Sequence, residues 1–349
     1  MRSFRLVSLV VIALGVMAVG AIAPLWYGAA RALEAGIRTW AETPRDAVSI
    51  EIGRVAVSGF PFALDATITS FAIASADLGA RYYAEHVRVS RGLMDRDATF
   101  EMVAPQQITL ASGTAFDIDA DRFAGTVRTP QDGSPARGFT LSAAGVRVRW
   151  QGLALASAQR LSVQELAPDG SSAIPTSSRA ELRIVGLNVP AQRRGPFGDT
   201  LAELSANLEL EGALESSTLG RSIPAWQRAG GRLYVSDAVV RWGTLDAGRI
   251  GGALRLDTML RPTGRLSITF RDPARTFEAL AAADWVDPKT RTELMNGVGY
   301  DPNRVAVLPY CLSFLDGWIV LDDIEQDQTA PIRLWRVPSL VSRRAVEDR

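Results

Sequence analysis

The chain has 349 residues, of which 47% are hydrophobic and 22% are charged, and its formal net charge at pH 7 is zero. This length is enough for a sizeable core in one or two domains. The charged fraction is too high for a polytopic membrane protein, and the zero net charge gives no basic field that would attract nucleic acid.

The first predicted element is a membrane anchor over residues 1–30. Residues 6–30 carry no charge, and this run exceeds the roughly 20 residues that a helix needs to cross a bilayer. Arg2 and Arg5 precede it, which favours an N-terminus in the cytoplasm. The segment Ala21 to Ala23 resembles a signal-peptidase site, but Pro24 follows it. The pattern favours an uncleaved signal anchor, with a cleaved periplasmic form as the alternative.

After the anchor, the sequence predicts a helical extension over residues 31–45 and a β-rich periplasmic domain over residues 46–349. Leu33, Ile37 and Trp40 recur at helical spacing. The rest alternates apolar and polar residues in short segments, which is typical of antiparallel sheets with one solvated face. Examples are Leu64, Ala66 and Ile68; Phe139 and Leu141; Val146, Val148 and Trp150; Leu233 and Val235; and Ala238, Val240 and Trp242.

The predicted fold class is therefore mainly β, with extended antiparallel sheets arranged as a groove or as a sandwich. Residues 168–179 and 190–199 are rich in Gly, Pro and small polar residues. They are either flexible loops or the boundary between two sheet units, which would split the domain near residues 168–199. Residues 138–157 and 231–248 also resemble each other, as a duplicated hairpin or as two ordinary hairpins would.

Residues 251–270 carry the clearest strand pattern and supply the candidate ligand site. Leu254, Leu256 and Leu260 share one parity, and polar residues such as Arg255 take the other. Residues 261–264, Arg-Pro-Thr-Gly, have the signature of a type I turn. The candidate apolar ligand face consists of Leu254, Leu256, Leu260, Leu266, Ile268 and Phe270. The pattern leaves open whether a second sheet, a helix or a ligand lies against it.

A short helical pair is predicted near residues 273–297. Asp272-Pro273 and Asp287-Pro288 each place a capping carboxylate before a proline at the first helical position. Asn296-Gly297 provides a C-terminal capping signal. The pair is either a lid over the apolar side of the sheet or a docked terminal element.

The sequence indicates no catalytic, cofactor-binding or metal-binding residues. His86 is the only histidine and Cys311 the only cysteine, so an intramolecular disulfide and a histidine metal cluster are both excluded. Cys311 lies in an apolar run, which predicts a small buried residue rather than a reactive thiol. Asp117, Asp119 and Asp121 could bind Ca²⁺, but an EF-hand loop starting at Asp117 would need Gly and Glu where Arg122 and Arg128 stand. A solvated strand face is the preferred interpretation.

Three segments carry a family resemblance: residues 58–67 (SGFPFALDAT), 82–110 (YYAEHVRVSRGLMDRDATFEMVAPQQITL) and 231–270. Together with the N-terminal anchor, they resemble the domain of unknown function 2125 family, which is found in the envelopes of alphaproteobacteria. The resemblance carries no catalytic residues with it. The order of strands in residues 231–270 is also similar in style to AsmA-like envelope proteins, whose long β-sheets are thought to form apolar grooves.

These observations favour a non-enzymatic protein anchored in the cytoplasmic membrane, with its C-terminal domain in the periplasm. It would present an apolar β-sheet face to a lipid or another hydrophobic ligand, or act in envelope biogenesis. The alternative is a structural or protein-interaction scaffold of the envelope with no small ligand. A carboxylate-based hydrolase is the least favoured reading, because nothing singles out a pair of carboxylates.

Overall fold

A computed structural model describes residues 23–45, 47–92, 95, 97–128, 138–166, 176–189, 196–212, 219–283, 309–323 and 332–336. The helices in these ranges are α1 over residues 23–42, α2 over Leu219–Arg228 and α3 over Pro273–Ala282. The strands are β1 Val48–Glu51, β2 Val55–Ser58, β3 Ala63–Ser75, β4 Ala80–Gly92, β5 Asp97–Leu110, β6 Ala115–Asp119, β7 Arg122–Arg128, β8 Phe139–Trp150, β9 Leu153–Leu166, β10 Thr176–Asn188, β11 Thr200–Glu211, β12 Arg232–Trp242, β13 Leu245–Leu256, β14 Pro262–Phe270, β15 Pro309–Leu315, β16 Trp318–Asp323 and β17 Ile332–Arg336.

The strands form one 17-stranded sheet whose pairings are all antiparallel. The chain follows a meander in which long strands pair with their neighbours in sequence. At two places in the meander, two short strands lie one after the other along the same long neighbour. Strands β1 and β2 both pair with β3, and strands β6 and β7 both lie between β5 and β8. Among the described strands, no register pairs β17 with β1 or β2.

The prediction of a mainly β fold with antiparallel sheets is confirmed. Pairing is continuous from β9 to β10 and from β10 to β11, on either side of residues 167–175 and 190–195, which lie outside the described part. Of the predicted helical pair, the first helix is observed as α3, with Asp272 as its N-cap. The second, over residues 288–297, lies outside the described residues.

The predicted anchor lies mostly outside the described chain, which begins at residue 23. Among the helices that are described, none combines the length and the apolarity needed to cross a bilayer. Helix α1 runs through most of the predicted extension and ends at residue 42, directly before Thr43 and Pro44.

Several long strands are kinked at a residue with positive φ. These residues are Ser70 in β3, Gly145 in β8, Gly186 in β10, Asp237 in β12 and Arg249 in β13, with φ between 49° and 63°. We refer to these five positions as the crease. A residue in this conformation bends a strand and shifts its side-chain alternation, as a β-bulge does. In β3, for example, Leu64, Ala66 and Ile68 are buried before Ser70, and Phe71 is buried after it.

Because of the crease, the long strands keep their apolar side chains on one face along their whole length. Directly paired residues point to the same side of a sheet, and buried residues of the long strands pair with one another, as Ile68 does with Val87 and Ala247 with Phe270. The opposite face carries cross-strand ion pairs: Arg81–Glu51, Arg88–Glu101, Arg128–Asp97, Arg147–Asp121, Arg149–Asp119, Arg179–Glu209, Arg183–Glu203, Arg241–Glu203 and Arg271–Asp246. Most of the sheet therefore has an apolar face and a charged face, whereas at β15 and β16 Ser313 and Val320 are buried on the side opposite the apolar face.

Candidate functional site

Helix α1 covers the apolar face at the beginning of the sheet. Trp26 and Ala30 are buried, and Leu33 and Ile37 pack beside them at helical spacing against β2, β3 and β4. The indole nitrogen of Trp26 donates a hydrogen bond to the carbonyl oxygen of Ala63 at 2.7 Å. This end of the face is consequently closed by the chain itself.

Helix α3 covers the apolar face near the other end of the sheet. Phe277 and Leu280 are buried in one cluster with Ile268 and Phe270 of β14. Phe277, Phe270 and Tyr310 form a triangle of edge-to-face ring contacts, with centroids 5.3 to 5.7 Å apart. Asp272 Oδ1 accepts a hydrogen bond from the backbone N–H of Arg275 at 3.1 Å and so starts the helix at the edge of this cluster.

Between these two ends lies a third apolar cluster, on strands β6 to β10. Within the described residues, neither α1 nor α3 belongs to it. Six members of this cluster lie on β8 to β10: Ala143, Val146, Val148, Ala158, Leu161 and Leu187. We call these six, together with the apolar residues that the registers place beside them on the same side of the sheet, the central apolar face; the added residues are Leu141, Val163, Leu182, Ile184 and Leu204.

The registers arrange the central apolar face in rows across the sheet. One row runs from Leu141 through Val163 to Leu182, and the next from Ala143 through Leu161 and Ile184 to Leu204. Ala143, Val146 and Ala158 are buried, whereas the larger side chains around them are half-buried. Ala143 and Ala158 lie close to the crease, with larger apolar residues in the rows on either side. We also refer to this central apolar face as the trough.

The ends of the strands place large apolar side chains at the rim of this trough. Trp150 and Leu153 flank the β8–β9 turn, and both are exposed. Phe139 is exposed at the opposite end of β8. An apolar face with exposed apolar rims is the arrangement expected of a binding surface for a hydrophobic partner.

The six residues of the predicted ligand face are distributed over different environments. Leu266, Ile268 and Phe270 are buried in the cluster that α3 covers, and Leu254 packs against that cluster. Leu256 is half-buried at the last position of β13. The register places Leu254 on the same side as Leu266, as the alternation predicts. Their role as a ligand face stays a prediction.

The sixth residue, Leu260, does not lie in a strand. It is buried in the β13–β14 turn with φ 55°. The carboxylate of Asp257 organises this turn, accepting hydrogen bonds from the backbone N–H groups of Met259 and Arg261 at 2.8 and 2.9 Å and from Arg261 Nε at 2.8 Å. Burial alone would raise the pKa of the Asp257 carboxyl, but these hydrogen bonds and the Arg261 charge hold that pKa below its usual value.

The predicted type I turn at residues 261–264 is therefore wrong. Pro262 pairs with Leu256 and Gly264 with Leu254, so both belong to β14. Asp257 instead stabilises a turn that ends at Arg261, so Pro262 occupies the first position of β14. At that position the sheet loses no hydrogen bond through the missing N–H of proline.

A buried polar pair lies where the α1-covered end meets the central apolar face. The hydroxyl of Tyr82 donates to Gln106 Oε1 at 2.7 Å and lies 2.9 Å from the sulfur of Met102. Burial raises the pKa of the Tyr82 hydroxyl well above its usual value. Gln106 is only 2% exposed, and its Nε2 has no hydrogen-bond partner in the described part of the chain.

The acidic side chains singled out in the sequence lie on the polar face of the sheet. The described residues include no group of three or more His, Cys, Asp or Glu side chains that could hold a metal ion. Asp119 and Asp121 pair with Arg149 and Arg147, and Asp117 accepts a hydrogen bond from Gln107 Nε2 at 3.1 Å. These three carboxylates are thus part of the polar face.

The two rare residue types are also far from the trough. His86 lies in β4, partly exposed, with its Nε2 3.7 Å from Glu85 Oε1. Cys311 is not the buried residue that its apolar run predicts, because β15 turns its neighbours Tyr310 and Leu312 to the apolar face. Cys311 points to the polar face, half-buried, with its Sγ 3.8 Å from Ser313 Oγ.

A separate hollow of about 470 Å³ lies beside β1 and the β3–β4 turn, and Arg45 and Arg81 are among its lining residues. Arg81 is paired with Glu51 at 2.6 Å. Arg45 donates to the carbonyl oxygen of Trp40 at 2.7 Å and stacks over its ring. Because both arginines are engaged by the chain itself, the hollow offers no free cation from these two residues, and the central apolar face remains the stronger candidate.

Sequence reasoning identified several strands of the central apolar face but did not single it out. Val146 and Val148 show the same alternation as Leu266 and Ile268. The two pairs differ because α3 covers Leu266 and Ile268. That cover depends on contacts between distant parts of the chain, which a local sequence pattern does not reveal.

Fold and site together define an antiparallel β-sheet protein whose apolar face is covered by α1 at one cluster and by α3 at another, with the central apolar face between them. The chain matches the family described as an uncharacterized protein conserved in bacteria, DUF2125, over residues 26–324, and it belongs to that family. The family resemblance seen in the sequence is thereby confirmed. No curated protein and no solved structure shows a significant match to the chain.

Proposed function

We propose that this protein is a non-enzymatic component of the cell envelope, anchored in the cytoplasmic membrane, whose central apolar face holds an acyl chain of a lipid. The observation that carries the proposal is the trough itself. It is lined by eleven apolar residues from β8 to β11 and lies between two regions that the chain covers with its own helices.

The dimensions and surroundings of the trough suit an acyl chain. Four strands spaced about 4.8 Å apart span roughly 14 Å from the first strand to the last, which matches a large part of a fatty acyl chain. Aliphatic side chains provide the contacts. Glu165, the charged residue on the same side at the end of β9, accepts a hydrogen bond from the backbone N–H of Gly138 at 3.1 Å. The predicted anchor over residues 1–30 would hold the trough beside a bilayer, which is a source of such ligands.

A photo-crosslinking experiment on the full chain tests the proposal. The photoreactive residue p-benzoylphenylalanine replaces Leu161, in the middle row of the trough, and in a matched variant it replaces Arg160. Arg160 is the neighbouring residue on the same strand, but it is exposed on the opposite face. After irradiation in native membranes, mass spectrometry identifies what is attached to each variant.

We expect a lipid adduct at position 161 and none at position 160. A protein adduct at position 161 would instead favour the envelope scaffold without a small ligand. An adduct formed only with another segment of the same chain would show that the trough is part of the protein core. Either of these two results would overturn the proposal.

A second pair of variants checks the same face by binding stoichiometry. Ile184→Ser places a hydroxyl in the trough, whereas Val185→Ser makes a similar change on the opposite face of the same strand. Organic extraction of the purified proteins should recover less lipid from Ile184→Ser than from Val185→Ser or the unmodified chain. Equal recovery from both variants would contradict the assignment of the lipid to this face.

A further inference from the structure

The first turn of α1 and the β2–β3 turn together form a patch of exposed apolar side chains. Phe62 is 76% exposed, Leu25 70%, Tyr27 59% and Phe60 41%. We call these four residues the aromatic patch. Exposed apolar residues are ordinary when they stand alone, whereas a contiguous group indicates an interaction surface.

The aromatic patch is held together by specific contacts. The buried ring of Trp26 makes edge contacts with Tyr27 and Phe60, with centroids 5.2 and 5.6 Å apart, and Tyr27 stacks on Phe60 at 6.3 Å. The hydrogen bond from Trp26 to Ala63 fixes the helix to the strand that follows the turn. The helix and the turn therefore present Tyr27 and Phe60 as one unit, and the exposed Leu25 and Phe62 each stand two residues away from them in sequence.

The sequence of the turn is adapted to this arrangement. Gly59 has φ 99°, and a Cβ atom there would lie 2.8 Å from the carbonyl oxygen of Ala63. Glycine is thus required for the turn that carries Phe60 and Phe62. Gly59 to Phe62 form the GFPF segment of the family resemblance. They are not part of the central apolar face, so the proposed binding of an acyl chain does not explain them.

The position of the aromatic patch in the chain indicates what it contacts. It surrounds the start of α1, and the chain before this point, from residue 6 to residue 22, is uncharged. Arg31 is exposed one helical turn beyond Tyr27, at the level where lipid phosphates would lie if Tyr27 were at the interface. Aromatic side chains flanked by a basic residue are typical of the boundary between a bilayer and water.

We propose that the aromatic patch inserts into the headgroup region of the membrane and so docks the start of the sheet on the bilayer. This inference rests on the proposed membrane anchoring, but not on a lipid in the trough. A tether alone would leave the domain free to tumble. Insertion of Phe60 and Phe62 adds a second point of contact, which fixes the orientation of the sheet relative to the membrane.

Fluorescence quenching in vesicles tests the docking. The full chain, with Cys311→Ser as background, carries a single new cysteine labelled with a nitrobenzoxadiazole dye. One variant is Phe62→Cys and the matched control is Leu78→Cys, in the β3–β4 turn at the other end of the same strand, where Leu78 is also 59% exposed. The vesicles contain phosphatidylethanolamine and phosphatidylglycerol, with a spin label in the headgroup region of a fraction of the lipids.

We expect quenching at position 62 to be several-fold stronger than at position 78. Similar quenching at the two positions would overturn the docking. Flotation of the same samples separates this result from the proposed anchoring: a protein that floats with the vesicles but shows no quenching at position 62 is anchored without docking. A protein that does not float contradicts both the anchoring and the docking.

Discussion

Tyr82 and Gln106 show how much a single buried contact is expected to contribute. The phenol hydroxyl is the hydrogen-bond donor that satisfies the amide oxygen of Gln106, in surroundings formed mainly by apolar side chains such as Met102 and Ile73. The other end of the amide, Nε2, already lacks a partner in the described part of the chain. Removing the phenol hydroxyl would leave the whole amide unsatisfied.

We therefore expect Tyr82→Phe to lower the free energy of unfolding by about 1–3 kcal/mol, which is the cost of a buried acceptor without a donor. Tyr83→Phe is the matched control, because Tyr83 is the next residue in β4 and points to the other face. Its effect should stay within about 0.5 kcal/mol. Urea-induced unfolding monitored by circular dichroism measures both changes.

The double variant Tyr82→Phe with Gln106→Leu separates this explanation from a simple loss of packing. If the unsatisfied amide is the cause, replacing it with an apolar side chain should recover part of the stability that Tyr82→Phe loses. A double variant whose loss equals the sum of the two single losses would show that the two side chains do not interact.

At the scale of the element, sequence reasoning predicted the type of strand but not its length. Phe139 and Leu141 were assigned to one segment and Val146, Val148 and Trp150 to another, yet all five belong to β8. The alternation breaks between them because Gly145 adopts a left-handed conformation. A single glycine in an alternating pattern also fits a turn, and only the cross-strand pairing with β9 distinguishes the two.

The same break occurs in the hairpin that resembles this one in sequence. Leu233 and Val235 precede Asp237, and Ala238, Val240 and Trp242 follow it, all within β12. Asp237 and Gly145 each stand five residues before the tryptophan that ends the strand. Aspartate tolerates positive φ better than most residues, but nothing in a sequence marks an aspartate that adopts it.

The backbone conformation of the crease requires glycine at position 145. With φ 59°, a side chain is strained there, and a Cβ atom would collide with the carboxylate of Asp121. We expect Gly145→Ala to lower the free energy of unfolding by about 1–3 kcal/mol, which combines the cost of left-handed backbone with the displacement of Asp121. Thermal unfolding of Gly145→Ala and the unmodified chain provides the measurement.

Gly248→Ala is the matched control for this prediction. Gly248 also lies inside a long strand, β13, but its φ is not in the left-handed range and no atom lies within 4 Å of an added Cβ. Alanine there should leave stability unchanged or raise it slightly, since it reduces the freedom of the unfolded chain. Equal destabilisation at both positions would mean that the crease does not require glycine at position 145.

Helix α3 shows which properties of a helix depend on neighbouring residues in sequence and which depend on distant ones. Its start was predictable, because Asp272 followed by Pro273 encodes an N-cap within the segment itself. What it covers was not predictable: Phe277 meets Tyr310, which lies thirty-three residues further along the chain on β15. Helix α2 shows the converse, since Pro224 within it disfavours a helix, whereas a hydrogen bond from buried Trp226 to the carbonyl oxygen of Glu211 fixes it to the end of β11.

At the scale of the whole molecule, the topology should allow one part of the sheet to unfold without the rest. Each long strand pairs with neighbours in sequence, and the two helix-covered clusters share no residue. Proteins whose units contact only their neighbours behave as nearly one-dimensional arrays, in which one end can open while the other stays folded. The central strands β6 to β10 should transmit little of a disturbance at either end, because their cluster contains no helix that links it to both.

Hydrogen exchange on a pair of variants tests this expectation. Phe277→Ala removes the ring that joins α3 to β14 and β15, at a cost of about 3–5 kcal/mol within that cluster. Backbone amides of β12 to β15 should then exchange much faster, whereas those of β3 and β4 should keep their protection. Phe71→Ala, which truncates a buried ring in the cluster under α1, should produce the reverse pattern.

A uniform loss of protection along the sheet in either variant would mean that the molecule unfolds as one cooperative unit. The trough would then be held rigid by both ends, rather than lying between two regions that open independently.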